Sequence, residues 1–211
     1  MMRRWECLKA IAADVGDALV VTSAGANTFE WNTFRPSDGN LQVKTLGLTC
    51  SIGLGLALGL PQRTVIALDG DGSLLMNLCG LPTIARMKPG NFLHIVFDNE
   101  CYESSGATAT ATSAGADLVT CAQGAGYPRA VWAQSVEDFH AQVMQAIESR
   151  TLTFLGAKVT LERCMVKPLE VDEVENKYRF MRFVERTTGK KLIVHGLPAS
   201  YQKLAGQPIP T

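Results

Sequence analysis

The chain has 211 residues, 20 Lys+Arg against 20 Asp+Glu, 46% hydrophobic and 19% charged residues. At about 150 residues per domain this leaves room for one full domain and a modest appendage. The balanced charge excludes the basic face that a nucleic acid or an anionic membrane requires, and the composition is far from that of a disordered chain.

The opening MMRRWECLKA is basic, but Glu6, Lys9 and Asp14 interrupt the apolar run that a secretory signal needs. A helix is expected over 4–14 instead, followed by a strand over 18–24 (ALVVTSA) and a loop, SAGANTFEW. The run from Thr45 to Gln62 is uncharged and carries GxxxG at Gly55 and Gly59. A membrane span competes there with a helix pressed against a sheet. Four glycines, Pro61 and the polar Thr49, Cys50 and Ser51 favour the second, a helix over 49–59. Strands follow over 64–70, 92–99, 129–133 and 152–160, with helices over 77–87, 115–125 and 135–149. TVIALDG and FLHIVFDN are almost wholly apolar, as strands buried on both faces are. The alternation predicts an α/β fold, a doubly wound and mostly parallel sheet with helices on both faces.

Composition changes near residue 161: residues 162–211 carry 15 of the 40 charged groups. The expected division is a domain over 1–161 and a charged C-terminal arm over 162–211. The arm holds Pro168, Pro198, Pro208, Pro210 and one amphipathic helix over 171–189, with Val174, Tyr178, Met181 and Glu185 on its apolar face. Docking on its own domain and reaching onto a partner subunit are both open to it. SSGATATATSAGA (104–116) contains only small residues and reads as a loop that lies against a ligand or as a mobile connection.

Six cysteines occur without a CxxC pair, which gives no support to a zinc ribbon, redox dithiol or iron–sulfur ligand set. Reduced thiols fit a cytoplasmic protein. His94 sits mid-strand and reads as a satisfied core histidine rather than an acid or base. His140 and His195 have no partner in sequence.

The chemistry concentrates at LDGDGSLLMN. A lone GDG is usually a tight turn, but this one directly follows a buried strand, and the next strand ends in Asp98-Asn99. With 26 residues between Gly72 and Asn99, one helix and one strand fit. If the two strands are parallel neighbours, Asp71 and Asn99 meet at the carboxyl edge, where open α/β sheets bind ligands. One carboxylate and one amide oxygen suit Mg²⁺ sharing phosphate oxygens with a ligand. Gly70, Gly72 and Ser73 let the backbone and a hydroxyl approach those phosphates.

GDG, then 26 residues beginning with Ser73, then Asn behind a polar residue resembles the signature of thiamine-diphosphate enzymes in their pyrophosphate-binding (PP) domain. The stretch GDGSLLMNLCGLPTIARMKPGNFLHIVFDNECYESSG looks like sulfopyruvate decarboxylase β subunits and phosphonopyruvate decarboxylases. The likeness covers about residues 1–160 and is specific over 45–106. It implies that Asp71, Asn99 and the Cys101 carbonyl ligate Mg²⁺ while Gly70, Gly72 and Ser73 line the diphosphate. KTLGLTCSIGLGLAL matches a family segment that usually reads Gly-Ser-Met-Gly, here Lys44, Thr45, Leu46 and Gly47. By resemblance, the Lys44 carbonyl meets the pyrimidine and Leu46 is the wedge beneath the cofactor; as a residue alone, Leu46 reads equally as core. Ala26 and Asn27 are carried over to the far side of the diphosphate, and Glu103, Ser104 and Ser105 follow the metal loop. Relatives tend to read Gly-Gly-Gln-Pro-Thr where this chain has residues 106–110, a departure that bears on substrate identity.

The implied activity is decarboxylation of a small 2-oxo acid with thiamine diphosphate and Mg²⁺. The activating glutamate of the family sits on a separate PYR domain. One sheet's worth of strands therefore implies a PYR-domain α subunit as partner in an α2β2 or larger hetero-oligomer, with neither nucleic acid nor membrane involved. The same motif is compatible with three alternatives: an acetolactate synthase-like carboligase subunit, a 2-oxo acid:ferredoxin oxidoreductase β chain, and a non-catalytic cofactor-binding scaffold.

Overall fold

Six parallel strands form the central sheet in the order β2-β1-β3-β4-β8-β7: β1 (Leu19–Ser23), β2 (Asn40–Val43), β3 (Val65–Gly70), β4 (Phe92–Asp98), β7 (Arg129–Ala133) and β8 (Thr153–Lys158). A short antiparallel pair, β5 (Cys101–Tyr102) and β6 (Thr108–Ala109), lies beyond the end of β4. These coordinates are a computed structural model that describes residues 1–166 and 172–192. Pro168, Val171, His195, Pro198, Pro208 and Pro210 of the expected arm lie outside the described residues.

Every residue of β1 and β4 is buried, because helices cover both faces. On one face α1 (Arg4–Ile11), α2 (Ala26–Phe34) and α7 (Val136–Ser149) pack around Leu8, Ile11, Trp31, Phe97, Phe139 and Val143. On the other, α3 (Thr49–Gly59), α5 (Gly80–Met87), α6 (Leu118–Ala125) and α8 (Glu173–Thr188) surround Leu81, Phe92, Leu118, Phe154 and Phe180. The uncharged run around α3 is thus a helix pressed against the sheet. A Cβ on Gly53 would stand 2.6 Å from the Phe92 ring, a contact only glycine allows. No helix among the described residues is long and apolar enough to cross a membrane.

The structure corrects several expectations. SAGANTFEW is not a loop: its residues from Ala26 onward form α2, and the edge strand β2 that follows it carries too little apolar pattern to read from sequence. The helix expected over 77–87 forms as α5 from Gly80 to Met87, and a short helix the sequence did not announce, α4 (Asp71–Leu75), precedes it and begins at Asp71 itself. The break between them is pinned by Asn77, whose amide donates to the Gly47 carbonyl at 2.7 Å. The segment 104–116 is ordered around two 3₁₀ turns (Glu103–Ser105 and Ala111–Ala114), with Thr110 and Thr112 buried.

The amphipathic helix of the arm forms, but with a different face inward. In α8, Phe180 and Val184 are buried while Val174 and Tyr178 are exposed. The 3.6-residue period is right and the phase is not, because the bulkier Phe180–Phe183–Val184 side docks. Asn176 fixes the helix to the sheet edge by accepting from the Gln42 N–H at 2.8 Å and donating to the Asn40 carbonyl at 3.0 Å.

Candidate functional site

The chain leaves β1 toward β2 on one side and returns to β3 on the other. The carboxyl ends of β1 and β3 therefore form a switch point, the place where open α/β sheets have a crevice. A cavity of about 550 Å³ opens there, within the range of small-molecule and cofactor sites. It is lined by Ser23–Asn27 after β1, by Gly70–Ser73 after β3, and by Asn99 and Cys101–Ser104 after β4. Since β3 and β4 pair in parallel with Gly70 opposite Phe97, residues 28 positions apart, Asp71 and Asn99, face one space.

Of the residues singled out in the sequence, Ala26, Asn27, Leu46, Gly70, Asp71, Gly72, Ser73, Asn99, Cys101, Glu103 and Ser104 all line this cavity. Lys44 and Gly47 are not among the lining residues. The Lys44 side chain is exposed and pairs with Glu173 of α8. Gly47 stands next to the site, its N–H donating to Ser73 Oγ at 3.1 Å.

The GDG segment is not a glycine turn of positive φ. Gly70 is extended at φ −114° and acts as the N-cap of α4. Gly72 is needed for a different reason: a Cβ there would meet the Tyr102 ring at 2.5 Å. The first turn of α4 thereby comes close under the loop that follows β4.

Asp71 is 2% exposed. Its Oδ2 accepts from Thr110 Oγ1 at 2.7 Å; Thr112 Oγ1 lies 3.3 Å from the same oxygen and 2.8 Å from Asp98 Oδ1, so its single proton serves one of the two carboxylates at a time. Burial pushes the Asp71 carboxyl above the ordinary carboxylate value; the Thr110 bond opposes this and the Asp98 charge adds to it. A buried carboxylate facing a cavity with that bias is what a divalent cation relieves. Asn99, 28 positions on, contributes an amide oxygen that also accepts from the Cys101 N–H at 3.2 Å. The donor set, carboxylate and amide oxygens beside main-chain carbonyls, therefore fits a hard cation such as Mg²⁺. Burial pushes the Cys101 thiol up, with the Asp71 and Glu103 charges adding to the effect, so its side chain is no reactive thiolate.

The role of the small-residue loop is thus to buttress Asp71. Thr110→Val keeps the shape and removes the shortest donor to Asp71, leaving the longer Thr112 contact and the Gly72 backbone. The expected loss of stability is about 1–3 kcal/mol, read as a lower denaturant midpoint with unchanged slope; an unshifted midpoint would show that the hydroxyl contributes nothing.

Sequence reasoning missed the charged rim. Arg4, 3% exposed, donates from Nε to Glu30 Oε2 at 2.8 Å and from a terminal nitrogen to Glu103 Oε2 at 2.9 Å. Glu103 also pairs with Arg163 and accepts from Asn99 Nδ2 at 3.1 Å. The Cys164 N–H donates to Glu30 at 3.1 Å. Burial would raise the Glu103 carboxyl, but Arg4 and Arg163 outweigh it and hold Glu103 below the ordinary value. The one signal in sequence was Glu30 between Phe29 and Trp31, a charge among large apolar side chains.

Residues 14–157 match the family described as thiamine pyrophosphate enzyme, C-terminal TPP binding domain. This chain belongs to that thiamine pyrophosphate enzyme family. Among the family's curated members, the sulfopyruvate decarboxylase subunit beta of Methanocaldococcus jannaschii is 33% identical over 187 residues, covering 88% of this chain and 98% of that one. The phosphonopyruvate decarboxylase of Streptomyces viridochromogenes is 38% identical over 176 residues, which take up 80% of this chain but 42% of that longer one. Among solved structures, benzoylformate decarboxylase from Polynucleobacter necessarius superposes with a TM-score of 0.64 at 17% identity, covering 79% of this chain and 34% of that one. That structure shares the thiamine pyrophosphate enzyme fold with this chain, which spans about a third of its length.

Proposed function

We propose that this chain is the cofactor-binding subunit of a thiamine diphosphate- and Mg²⁺-dependent 2-oxo acid decarboxylase, of the sulfopyruvate or phosphonopyruvate kind, active with a PYR-domain α subunit. The observation that carries the reading is the meeting of buried Asp71 with Asn99 in one cavity at the β1/β3 switch point. The names of the similar proteins support the substrate class.

In this reading Asp71, Asn99 Oδ1 and the Cys101 carbonyl hold Mg²⁺. Gly72 and Ser73, at the start of α4, meet the diphosphate with N–H groups and a hydroxyl, while Gly70, whose N–H is held by Asp69, lines it without a side chain. Ala26 and Asn27, at the start of α2, approach it from the β1 side, with Asn27 held by its bond to Ser23 Oγ at 3.0 Å. Leu46 offers an apolar surface beneath the cofactor, the Lys44 backbone contacts the pyrimidine, and Glu103 and Ser104 close the far wall. The chemistry that the cofactor supplies when bound is addition to a 2-oxo carbonyl and an electron sink for the pair released with CO₂.

A partner is invoked because both glutamates lining the cavity are committed: Glu30 to Arg4, and Glu103 to Arg4 and Arg163. Neither is free to activate the cofactor, so that carboxylate is assigned to the α subunit of an α2β2 or larger assembly. The six free cysteines support a reducing, cytoplasmic setting.

Purified alone with thiamine diphosphate and Mg²⁺, the chain is expected to release almost no CO₂ from sulfopyruvate, phosphonopyruvate or simple 2-oxo acids. Co-expressed with a PYR-domain partner it is expected to turn one of them over. Robust decarboxylation by the chain alone would refute the split active site.

A further inference from the structure

Within the layer between the sheet and α3, three side chains of different kinds converge. Cys50 of α3, Asp69 of β3 and His94 of β4 are each 0% exposed, and one ligand atom from each lies within 4.8 Å of the other two. The strand register sets two of them: Ala67 pairs with His94 and Asp69 with Val96. Asp69 and His94 are therefore diagonal neighbours on one face.

Two polar atoms in this cluster have no hydrogen-bond partner, Asp69 Oδ2 and His94 Nε2. They face each other at 3.8 Å, too far for a hydrogen bond. The other atoms of both groups are engaged. Asp69 Oδ1 accepts from the Gly70 N–H at 3.0 Å, and His94 Nδ1 lies 3.4 Å from the Tyr127 hydroxyl. In the tautomer whose Nδ1–H donates to Tyr127, the Nε2 lone pair points at a carboxylate oxygen with nothing between them; in the other, Nε2–H and Asp69 Oδ2 still stand too far apart to bond. Unpaired buried polar atoms of either kind are costly.

A cation resolves the arrangement. Two ligands bound about 2.1 Å from a tetrahedral ion stand about 3.4 Å apart, so closing a 3.8 Å gap needs only a few tenths of an ångström. Thiolate, imidazole and carboxylate together select a borderline-soft divalent ion over Mg²⁺ or Ca²⁺, and Tyr127 is the outer-shell oxygen that commonly fixes a metal-bound imidazole. We infer that Cys50, Asp69 and His94 form a structural Zn²⁺ site that ties α3 to β3 and β4, with a small exogenous ligand such as water in the fourth position. Nothing in this inference depends on the proposed decarboxylase function.

The test is elemental analysis of the full chain, expressed with zinc supplied and dialysed against a weak chelator. About one zinc per chain is expected. X-ray absorption at the zinc edge is expected to show one sulfur ligand at about 2.3 Å with nitrogen and oxygen at about 2.0–2.2 Å. Cys50→Ser and His94→Gln are each expected to weaken zinc affinity at least tenfold, as loss of even an outer-shell partner does, so that the weak chelator strips the metal, while Asp71→Ala retains it. A wild-type chain that holds no zinc, or holds it without a sulfur ligand, overturns the inference even if both variants misfold.

Discussion

Asp71→Ala is expected to abolish Mg²⁺-dependent binding of thiamine diphosphate, with affinity at least about a hundredfold weaker, or about 2.7 kcal/mol. Its carboxylate is the only acidic group of the GDG segment that lines the cavity. It is also buried, so no solvent charge substitutes for it. Asp71→Asn separates charge from shape: the amide retains an oxygen that can accept from Thr110 and Thr112, yet loses the negative charge that holds the cation. Both variants are expected to fail in calorimetric titration with cofactor and Mg²⁺ while keeping near-native circular dichroism. Binding heats equal to those of the wild type in the Asn variant would refute the assignment of Asp71.

The second large effect concerns stability. Arg4→Ala is expected to cost about 3–5 kcal/mol, because it strands the buried Glu30 carboxylate beside the cavity and leaves Glu103 to Arg163 and Asn99 alone. Glu30 is 1% exposed and takes two bonds from the Arg4 guanidinium. In a chain of this length each kcal/mol moves the melting point by about 2–4 °C, so a fall of roughly 6–20 °C is expected. Replacing the pair together, Arg4→Met with Glu30→Leu, is expected to recover much of that loss, since the penalty comes from the unpaired charge more than from the missing contact. A single-variant melt within 2 °C of wild type would show that the pair does not anchor α1 to α2.

What could be read from the sequence follows the physics of burial. Strands covered on both faces announce themselves as apolar runs, and β3 and β4 did so. Their parallel pairing followed from the helix-length connection between them, and with it came the convergence of Asp71 and Asn99. Elements at the edge were silent. The β2 strand has only four residues, and α2 mixes Asn, Thr and Glu with its aromatics, since it answers to a cavity on one side and a sheet on the other. The pairing of Arg4 with Glu30 is a tertiary event across 26 positions, and Arg4 in sequence reads merely as part of a basic start. In α8 the period was legible but the phase was not, because Tyr178 and Phe180 compete for the inward face and only the shape of the sheet edge decides between them. The GDG glycines line the cavity without the positive φ of a tight turn. Close packing against Tyr102, rather than positive φ, excludes a side chain at Gly72.

In the proposed function this cavity clamps a diphosphate through a divalent cation held by Asp71 and Asn99. Crystals grown with thiamine diphosphate and Mn²⁺ in place of Mg²⁺ test it directly through the anomalous signal of the metal. The account predicts one manganese peak coordinated by Asp71, Asn99 Oδ1, the Cys101 carbonyl and oxygens of the diphosphate. A cofactor bound with its metal away from Asp71 and Asn99 would contradict it.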